Sequence, residues 1–111
     1  MIYELRQYAI EPTLLDEYLA WANDRALPLL TGTFGFRLVG FWRVTGSGDE
    51  TPPGPINVVW LIAWQSETEM RETWTRVRSS PAWQAIREGL PPYWRERRSV
   101  VLQPIPYSPL Q

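Results

Sequence analysis

The stretch NVVWLIAWQS, residues 57–66, contains seven consecutive apolar residues and two tryptophans four positions apart, Trp60 and Trp64. An apolar run of this length between polar residues is typical of a strand that is buried on both faces. It is much shorter than the ~20 residues that a membrane-spanning helix needs. The stretch therefore predicts the central strand of a sheet, and something must cover each of its two faces.

The composition argues against several classes of protein. The chain has 111 residues, a net charge of −1, no Cys and no His, and its 11 basic residues are all Arg. A chain with this charge is not expected to bind nucleic acid or an anionic membrane surface. Disulfide chemistry and catalysis by His are excluded. The sequence contains no metal-ligand spacing and no phosphate-binding loop, so we expect no metal and no dissociable cofactor.

Patterns on both sides of the opening stretch predict three further strands and two helical regions. The predicted strands cover residues 2–10, 36–46, 57–65 and 98–105. Apolar residues at helical spacing follow Thr13 and Ser66, and a short additional helix follows Ser80. The order β-α-β-β-α-β predicts an α+β fold, a ferredoxin-like βαββαβ unit with both helical regions on one face and the first and third strands in the centre.

The chain length predicts one domain over residues 1–111, with a Pro-rich C-terminal tail at 104–111. Pro28 is expected to end or kink the first helix. Gly40 within the second strand predicts a bulge or a close approach of another group. The segment RERR, residues 95–98, is interpreted as a solvated turn. The N-terminus alternates like a strand and does not resemble a signal peptide, so a cytoplasmic location is expected.

The two faces of the third strand differ in side-chain size. The small residues Val59, Leu61 and Ala63 are predicted to face the helices. The opposite face would carry Val58, Trp60, Ile62 and Trp64, together with Tyr8 and Trp42 from neighbouring strands. On a monomer this patch would exceed the few hundred Å² that soluble proteins usually expose. A second copy of the same sheet is the simplest cover, so we predict a homodimer.

Several segments together resemble the NIPSNAP family within the dimeric α/β-barrel superfamily. In chain order they are YELRQYAIEP, LVGFWRVTG, VVWLIAWQS, SSPAWQAIRE and VVLQP. The most specific are Glu4-Leu5-Arg6 with Tyr8, Gly40-Phe41-Trp42, and Pro81 with Trp83. The resemblance covers roughly residues 2–104. It implies two ferredoxin-like units whose sheets face each other in a barrel, with small-molecule sites inside the barrel or between sheet and helices.

The same resemblance implies a range of activities. Superfamily members include cofactor-less monooxygenases, polyketide cyclases, muconolactone isomerase and some haem proteins. The family pattern has a His where Trp60 stands and a Tyr where Trp64 stands. The two replacements remove polar groups and add apolar area, which argues against His-based chemistry and haem ligation. They favour a pocket for a large hydrophobic or aromatic molecule.

Glu4, Arg6 and Tyr8 share one face of the first strand, and two interpretations are open. They can form a buried ion pair with a hydrogen-bonding tyrosine, since buried charges are normally paired. They can instead be catalytic: Arg6 would hold a carboxylate or enolate, and Glu4 would act as a base with a pKa raised by apolar walls. Tyr8 would then donate to a carbonyl oxygen.

The tryptophan-rich face also has two interpretations, because Trp42, Trp60, Ile62 and Trp64 can form a dimer core or bind substrate. The favoured hypothesis is an enzyme without a dissociable cofactor. It would cyclise or isomerise a hydrophobic, carbonyl-bearing, polyketide-like substrate, as in bacterial secondary metabolism. The alternatives are a cofactor-less monooxygenase of the antibiotic-biosynthesis type and a non-catalytic ligand-binding or scaffold dimer.

Overall fold

The computed structural model covers residues 1–111 and has one four-stranded antiparallel sheet with helices on one face. The elements are β1 (Ile2–Ile10), a 3₁₀ turn (Pro12–Leu14), α1 (Leu15–Trp21), a π-helical segment (Ala22–Ala26), α2 (Leu27–Gly32), β2 (Arg37–Arg43), β3 (Val58–Trp64), α3 (Glu67–Ser79), α4 (Pro81–Arg87) and β4 (Trp94–Leu102). The strand order is β2-β3-β1-β4, so β1 and β3 are central. This is the predicted α+β, ferredoxin-like arrangement. None of the helices has the length and apolar character needed to cross a bilayer.

The first helical region continues through Pro28, although this proline was expected to end or kink it. Pro28 lies at the start of α2, directly after the π-helical segment Ala22–Ala26. The wider π turn reduces the clash between a proline ring and the preceding turn of the helix. The helical path therefore brings Ala22, Ala26 and Leu30, all buried, into the layer between helices and sheet.

The structure reverses the predicted faces of the sheet. Trp60, Ile62 and Trp64 are each at most 3% exposed and belong to the core under the helices. Val59 and Leu61 lie on the opposite, open face and are half-buried. Large side chains are needed on the helix side because the layer between helices and sheet must be filled at high packing density. The prediction that the tryptophan face meets solvent or a second copy is therefore wrong.

Trp42 lies on the open face and not beside Trp60. After a bulge just before Gly40, the register pairs Trp42 with Val59 and Phe41 with Trp60. A Cβ at position 40 would lie only 2.2 Å from Cζ2 of Trp42, so glycine lets the indole cross the strand. The predicted bulge and close approach at Gly40 are confirmed. Trp42 itself is 49% exposed.

β4 begins at Trp94, four residues earlier than the predicted start. Glu96, Arg97 and Arg98 pair with β1, so the RERR segment belongs to a strand and its interpretation as a turn is wrong. Charged side chains suit this position because β4 is an edge strand. The correction matters for the site, since it places Trp94 and Arg97 beside the helices.

The Pro-rich tail forms no strand or helix after Leu102. It returns to the open face, where Pro104, Ile105 and Leu110 surround a hollow together with Tyr3 and Leu61. Tyr3 is only 8% exposed. The tail therefore covers one end of the open face and leaves Trp42 uncovered.

Candidate functional site

A cavity of about 130 Å³ lies between the sheet and the helices. Its lining is aromatic and aliphatic apart from four arginines, and it includes no acidic side chain. The aromatic walls include Tyr8, Tyr18, Trp21, Trp60, Trp74 and Trp94. The cavity opens to solvent at Arg78 and Arg97, which are exposed. A concave, mostly apolar space with a few polar groups is typical of a small-molecule site.

The carboxylate of Glu4 is buried beside this cavity and accepts four hydrogen bonds. Oε2 accepts from Ser99 Oγ at 2.6 Å and from Arg6 Nη1 at 2.8 Å. Oε1 accepts from Trp74 Nε1 at 2.8 Å and from Trp64 Nε1 at 3.1 Å. These four donors occupy all the lone-pair positions of a carboxylate. Glu4 is therefore bound on every side by its own chain.

The pKa of Glu4 is shifted in the direction opposite to the prediction. Burial alone raises the pKa of this carboxyl, but hydrogen bonds from Ser99 and Trp74 and the nearby charge of Arg6 outweigh burial. The net result is a lowered pKa, so the predicted elevation is wrong. An ionised carboxylate with no free lone pair is poorly suited to take a substrate proton. Its geometry instead fixes the position of Arg6.

Arg6 is held on three sides and has one free nitrogen. Nη1 donates to Glu4, Nε donates to the Tyr8 hydroxyl at 2.8 Å, and Nη2 makes no hydrogen bond within the chain. The guanidinium carbon lies 4.5 Å from the ring centroid of Trp74. Burial lowers the pKa of Arg6, but Tyr8 and Glu4 raise it more, so the net shift is upward. Arg6 is a permanent cation in the cavity wall.

The Tyr8 hydroxyl is the second donor beside this cation. Its oxygen accepts from Arg6, and its own proton has no acceptor within the chain. The ring packs edge-on against Tyr18 and Trp60, with centroid distances of 6.4 and 6.3 Å. The hydroxyl proton of Tyr8 and Nη2 of Arg6 are therefore neighbouring donors in a rigid wall.

Two buried indole nitrogens in the wall also lack acceptors. Nε1 of Trp60 and Nε1 of Trp94 have no hydrogen-bond partner, and both residues line the cavity. A buried donor without a partner costs about 1–3 kcal/mol. Both nitrogens are closed off from solvent, so they belong to the packed wall of the cavity.

Three of the seven predicted site residues line the cavity, three are buried beside it, and one lies on the open face. They are, in that order, Arg6, Tyr8 and Trp60; Glu4, Ile62 and Trp64; and Trp42. The prediction that Tyr8 shares a face with Trp60 is confirmed, because the two rings pack edge-on with centroids 6.3 Å apart. Arg6, on the same face of β1 as Tyr8, pairs with Trp60 across the sheet. The grouping of Trp42 with them is wrong.

Sequence reasoning missed four residues that line the cavity. Trp94 carries the guanidinium carbons of Arg87 and Arg97 at 5.1 and 5.2 Å from its ring centroid, and Arg78 lines the same region. The available signal was the alternation of Arg97, Ser99 and Val101 with their neighbours, which extends the last strand towards Trp94.

The chain is a ferredoxin-like α+β protein with a mostly aromatic cavity between its sheet and helices. The model of the NIPSNAP family matches residues 3–109, and the chain belongs to this family. No curated protein matches. The family and the fold are therefore established.

Solved structures agree with this assignment. Protein Atu4242 from Agrobacterium tumefaciens is 24% identical, with a TM-score of 0.83 over 100% of both chains. An uncharacterized NIPSNAP domain protein from Burkholderia xenovorans is 28% identical, with a TM-score of 0.78 over 98% of this chain and 99% of that one. An antibiotic biosynthesis monooxygenase is 15% identical, with a TM-score of 0.59 over 96% of this chain and 100% of that one. This last similarity shows a shared fold alone.

Proposed function

We propose that this protein binds a hydrophobic, carbonyl-bearing small molecule between its sheet and helices and cyclises or isomerises it without a dissociable cofactor. One observation carries the proposal: Arg6 Nη2 and the Tyr8 hydroxyl proton are adjacent, unused donors in the wall of an aromatic cavity. Two such donors can share a carbonyl oxygen and stabilise the negative charge that develops when the carbonyl compound becomes an enolate.

The network around Arg6 makes these donors effective. Glu4 and Trp74 hold the guanidinium in one orientation, so no reorganisation is needed when the substrate oxygen becomes negative. Glu4 also balances the charge of Arg6 before a ligand arrives, which suits a neutral carbonyl group. Arg6 is a catalytic residue in this proposal, and Glu4 is a positioning residue.

The reaction would follow from this arrangement with water as proton carrier. Water accepts the α-proton of the substrate while Arg6 and Tyr8 hold the enolate oxygen. In an unsaturated ketone, return of the proton from water to the γ-carbon of the dienolate completes an isomerisation. In a diketone, attack of the enolate carbon on the second carbonyl closes a ring, and the new alkoxide takes the proton from water. Aromatic walls that confine a flexible chain near its reactive geometry lower the entropic part of such a barrier.

The open face supports a second part of the proposal, a homodimer. Trp42 and Leu102 are 49% and 41% exposed on this face, and the tail covers only the end near Tyr3. Leu5, Leu61 and Val100 make the middle of this face apolar, with Gln7 and Arg98 beside them. A second copy of the sheet would bury this apolar part in the way expected of an isologous contact. We also propose a cytoplasmic location.

Enolisation tests the catalytic part directly. Wild-type protein is incubated with a panel of hydrophobic aryl ketones in D₂O, and loss of the α-proton signal is followed by NMR. We expect accelerated exchange in the wild type and a loss of about 100-fold in Tyr8→Phe and in Arg6→Met. Tyr107→Phe is the matched control, because Tyr107 is 95% exposed in the tail.

The same panel separates the alternatives. If ketones bind but their α-protons exchange no faster than in buffer, the protein binds ligands without catalysis and the proposed enzymatic activity is refuted. Consumption of oxygen with an electron-rich phenol would favour a cofactor-less monooxygenase instead. Absence of binding by every compound would favour a scaffold protein.

A further inference from the structure

Three arginines that line the cavity have no acidic partner. Arg78, Arg87 and Arg97 take part in none of the five ion pairs of the chain. The chain has 12 acidic residues for 11 basic ones, so partners are not scarce. No acidic side chain lines the cavity, although Glu88 lies with Arg78 and Arg87 around a neighbouring surface hollow. The cavity lining therefore has an excess of positive charge in a protein whose net charge is −1.

Trp94 holds two of these arginines in place. The guanidinium carbons of Arg87 and Arg97 lie 5.1 and 5.2 Å from its ring centroid, and Arg87 also lies 5.9 Å from the ring of Trp83. Stacking on an aromatic ring fixes the plane of a guanidinium and leaves its N–H edge free. Burial and the charge of Arg97 both lower the pKa of Arg87, as expected for neighbouring like charges without a counterion.

We infer that Arg87 and Arg97 form an anion subsite that binds a carboxylate or phosphate at one end of the hydrophobic ligand. The inference rests on the proposed function, since the apolar body of the ligand would fill the cavity and its carbonyl would meet Arg6. Guanidinium forks bind the oxygens of both anions in pairs.

Arg6 has an acidic partner, whereas Arg87 and Arg97 have none. We therefore assign Arg6 and the Arg87–Arg97 pair to different parts of one ligand. Arg6 is already neutralised by Glu4 at 2.8 Å, so it suits an oxygen that becomes negative only during the reaction. Arg87 and Arg97 are not neutralised, so they suit a group that is anionic throughout. The substrate class is a hydrophobic carbonyl compound with a permanent anionic end, a keto acid or a phosphorylated ketone.

Three probes with one aromatic body test this subsite: acetylnaphthalene, naphthoate and naphthyl phosphate. Their affinities are measured by calorimetry for the wild type and for the double variant Arg87→Gln/Arg97→Gln. The control is Arg95→Gln/Arg98→Gln, which removes two charges from β4 at positions that do not line the cavity. Circular dichroism checks that each variant is folded.

We expect the wild type and the control to bind at least one of the anions about tenfold more tightly than the neutral ketone. The double variant should lose this preference and keep its affinity for the ketone. The more tightly bound anion identifies the group as carboxylate or phosphate.

Equal wild-type affinity for all three probes would overturn the subsite and leave the cavity function standing. An anion preference that survives in the double variant would overturn it as well. Binding of none of the probes would overturn both the subsite and the proposed function.

Discussion

The middle of the central strand β1 is polar towards the helices, whereas its open face is apolar apart from Gln7. On the helix side, Glu4, Arg6 and Tyr8 form one hydrogen-bonded chain beside the cavity. On the open side, Leu5 and Leu61 face each other across the sheet, and no comparable network exists. A core does not need a buried ion pair, because apolar residues of similar volume often stabilise a protein equally well. The helix side therefore carries a polar network that a core does not require, which supports the proposed site there.

Exchanging large for small side chains on the two faces should give the largest difference. Trp64→Ala should lower the free energy of unfolding by about 3–5 kcal/mol, because Trp64 is 1% exposed in the core. Trp42→Ala should change the stability of the monomer by roughly 0.5 kcal/mol or less. Urea denaturation at protein concentrations below dimer formation measures both. Equal losses would contradict the assignment of the faces.

The polar network should be the next most sensitive feature. Glu4→Gln places an amide N–H₂ among four donors, so at least one of them loses its acceptor. We expect a loss of about 2–3 kcal/mol. Glu67→Gln is the control, since Glu67 is exposed and lies 3.8 Å from Arg71 in a surface pair worth about 0.5 kcal/mol or less. Similar losses of unfolding free energy in both variants would show that the buried network stabilises the fold no more than a surface ion pair does.

Low pH should remove the contribution of Glu4 to the free energy of unfolding. Its folded-state pKa lies below the ordinary value of 4.5, so its stabilisation is fully present above that pH and is lost as the pH falls through the lower folded-state pKa. The stability difference between wild type and Glu4→Gln should therefore shrink between about pH 5 and pH 2. A difference that stays constant over this range would refute the lowered pKa.

The smallest effect on folding is expected at Trp42, where an effect on assembly should appear instead. Trp42→Asp adds a charge to the open face, so it should separate a dimer into 13.0 kDa chains while leaving the unfolding free energy of each chain nearly unchanged. Light scattering measures the mass. A wild type that is already monomeric at micromolar concentration would refute the dimer.

Much of the fold could be predicted from the sequence, because hydrophobic periodicity and turn residues act locally. The order of elements, the central position of the first and third strands and the shared face of Arg6 and Trp60 all follow from such patterns. Periodicity says which residues lie together, but it does not say which face receives the helices. Both faces of β3 are apolar, so periodicity does not distinguish them. The volume of the layer under the helices requires the large side chains there, and the prediction placed the small residues on that side.

The site could be predicted only in part. Arg6, Tyr8 and Trp60 were identified because they alternate on adjacent strands, whereas Arg87 and Trp94 come together only through tertiary packing. The pKa of Glu4 was predicted in the wrong direction because its donors Trp74 and Ser99 are 70 and 95 positions away in sequence. Burial can be inferred from an apolar pattern, but distant hydrogen-bond partners cannot.

The central claim is that ligands bind on the helix side of the sheet, and the indole N–H signals of the seven tryptophans test it most directly. Each signal is assigned with a Trp→Phe variant and followed by NMR during titration with acetylnaphthalene. We predict that the signals of Trp60 and Trp94, whose rings line the cavity, shift with the ligand, while that of Trp42 stays in place. A shift of Trp42 with no change at Trp60 and Trp94 would place the ligand on the open face and contradict the account.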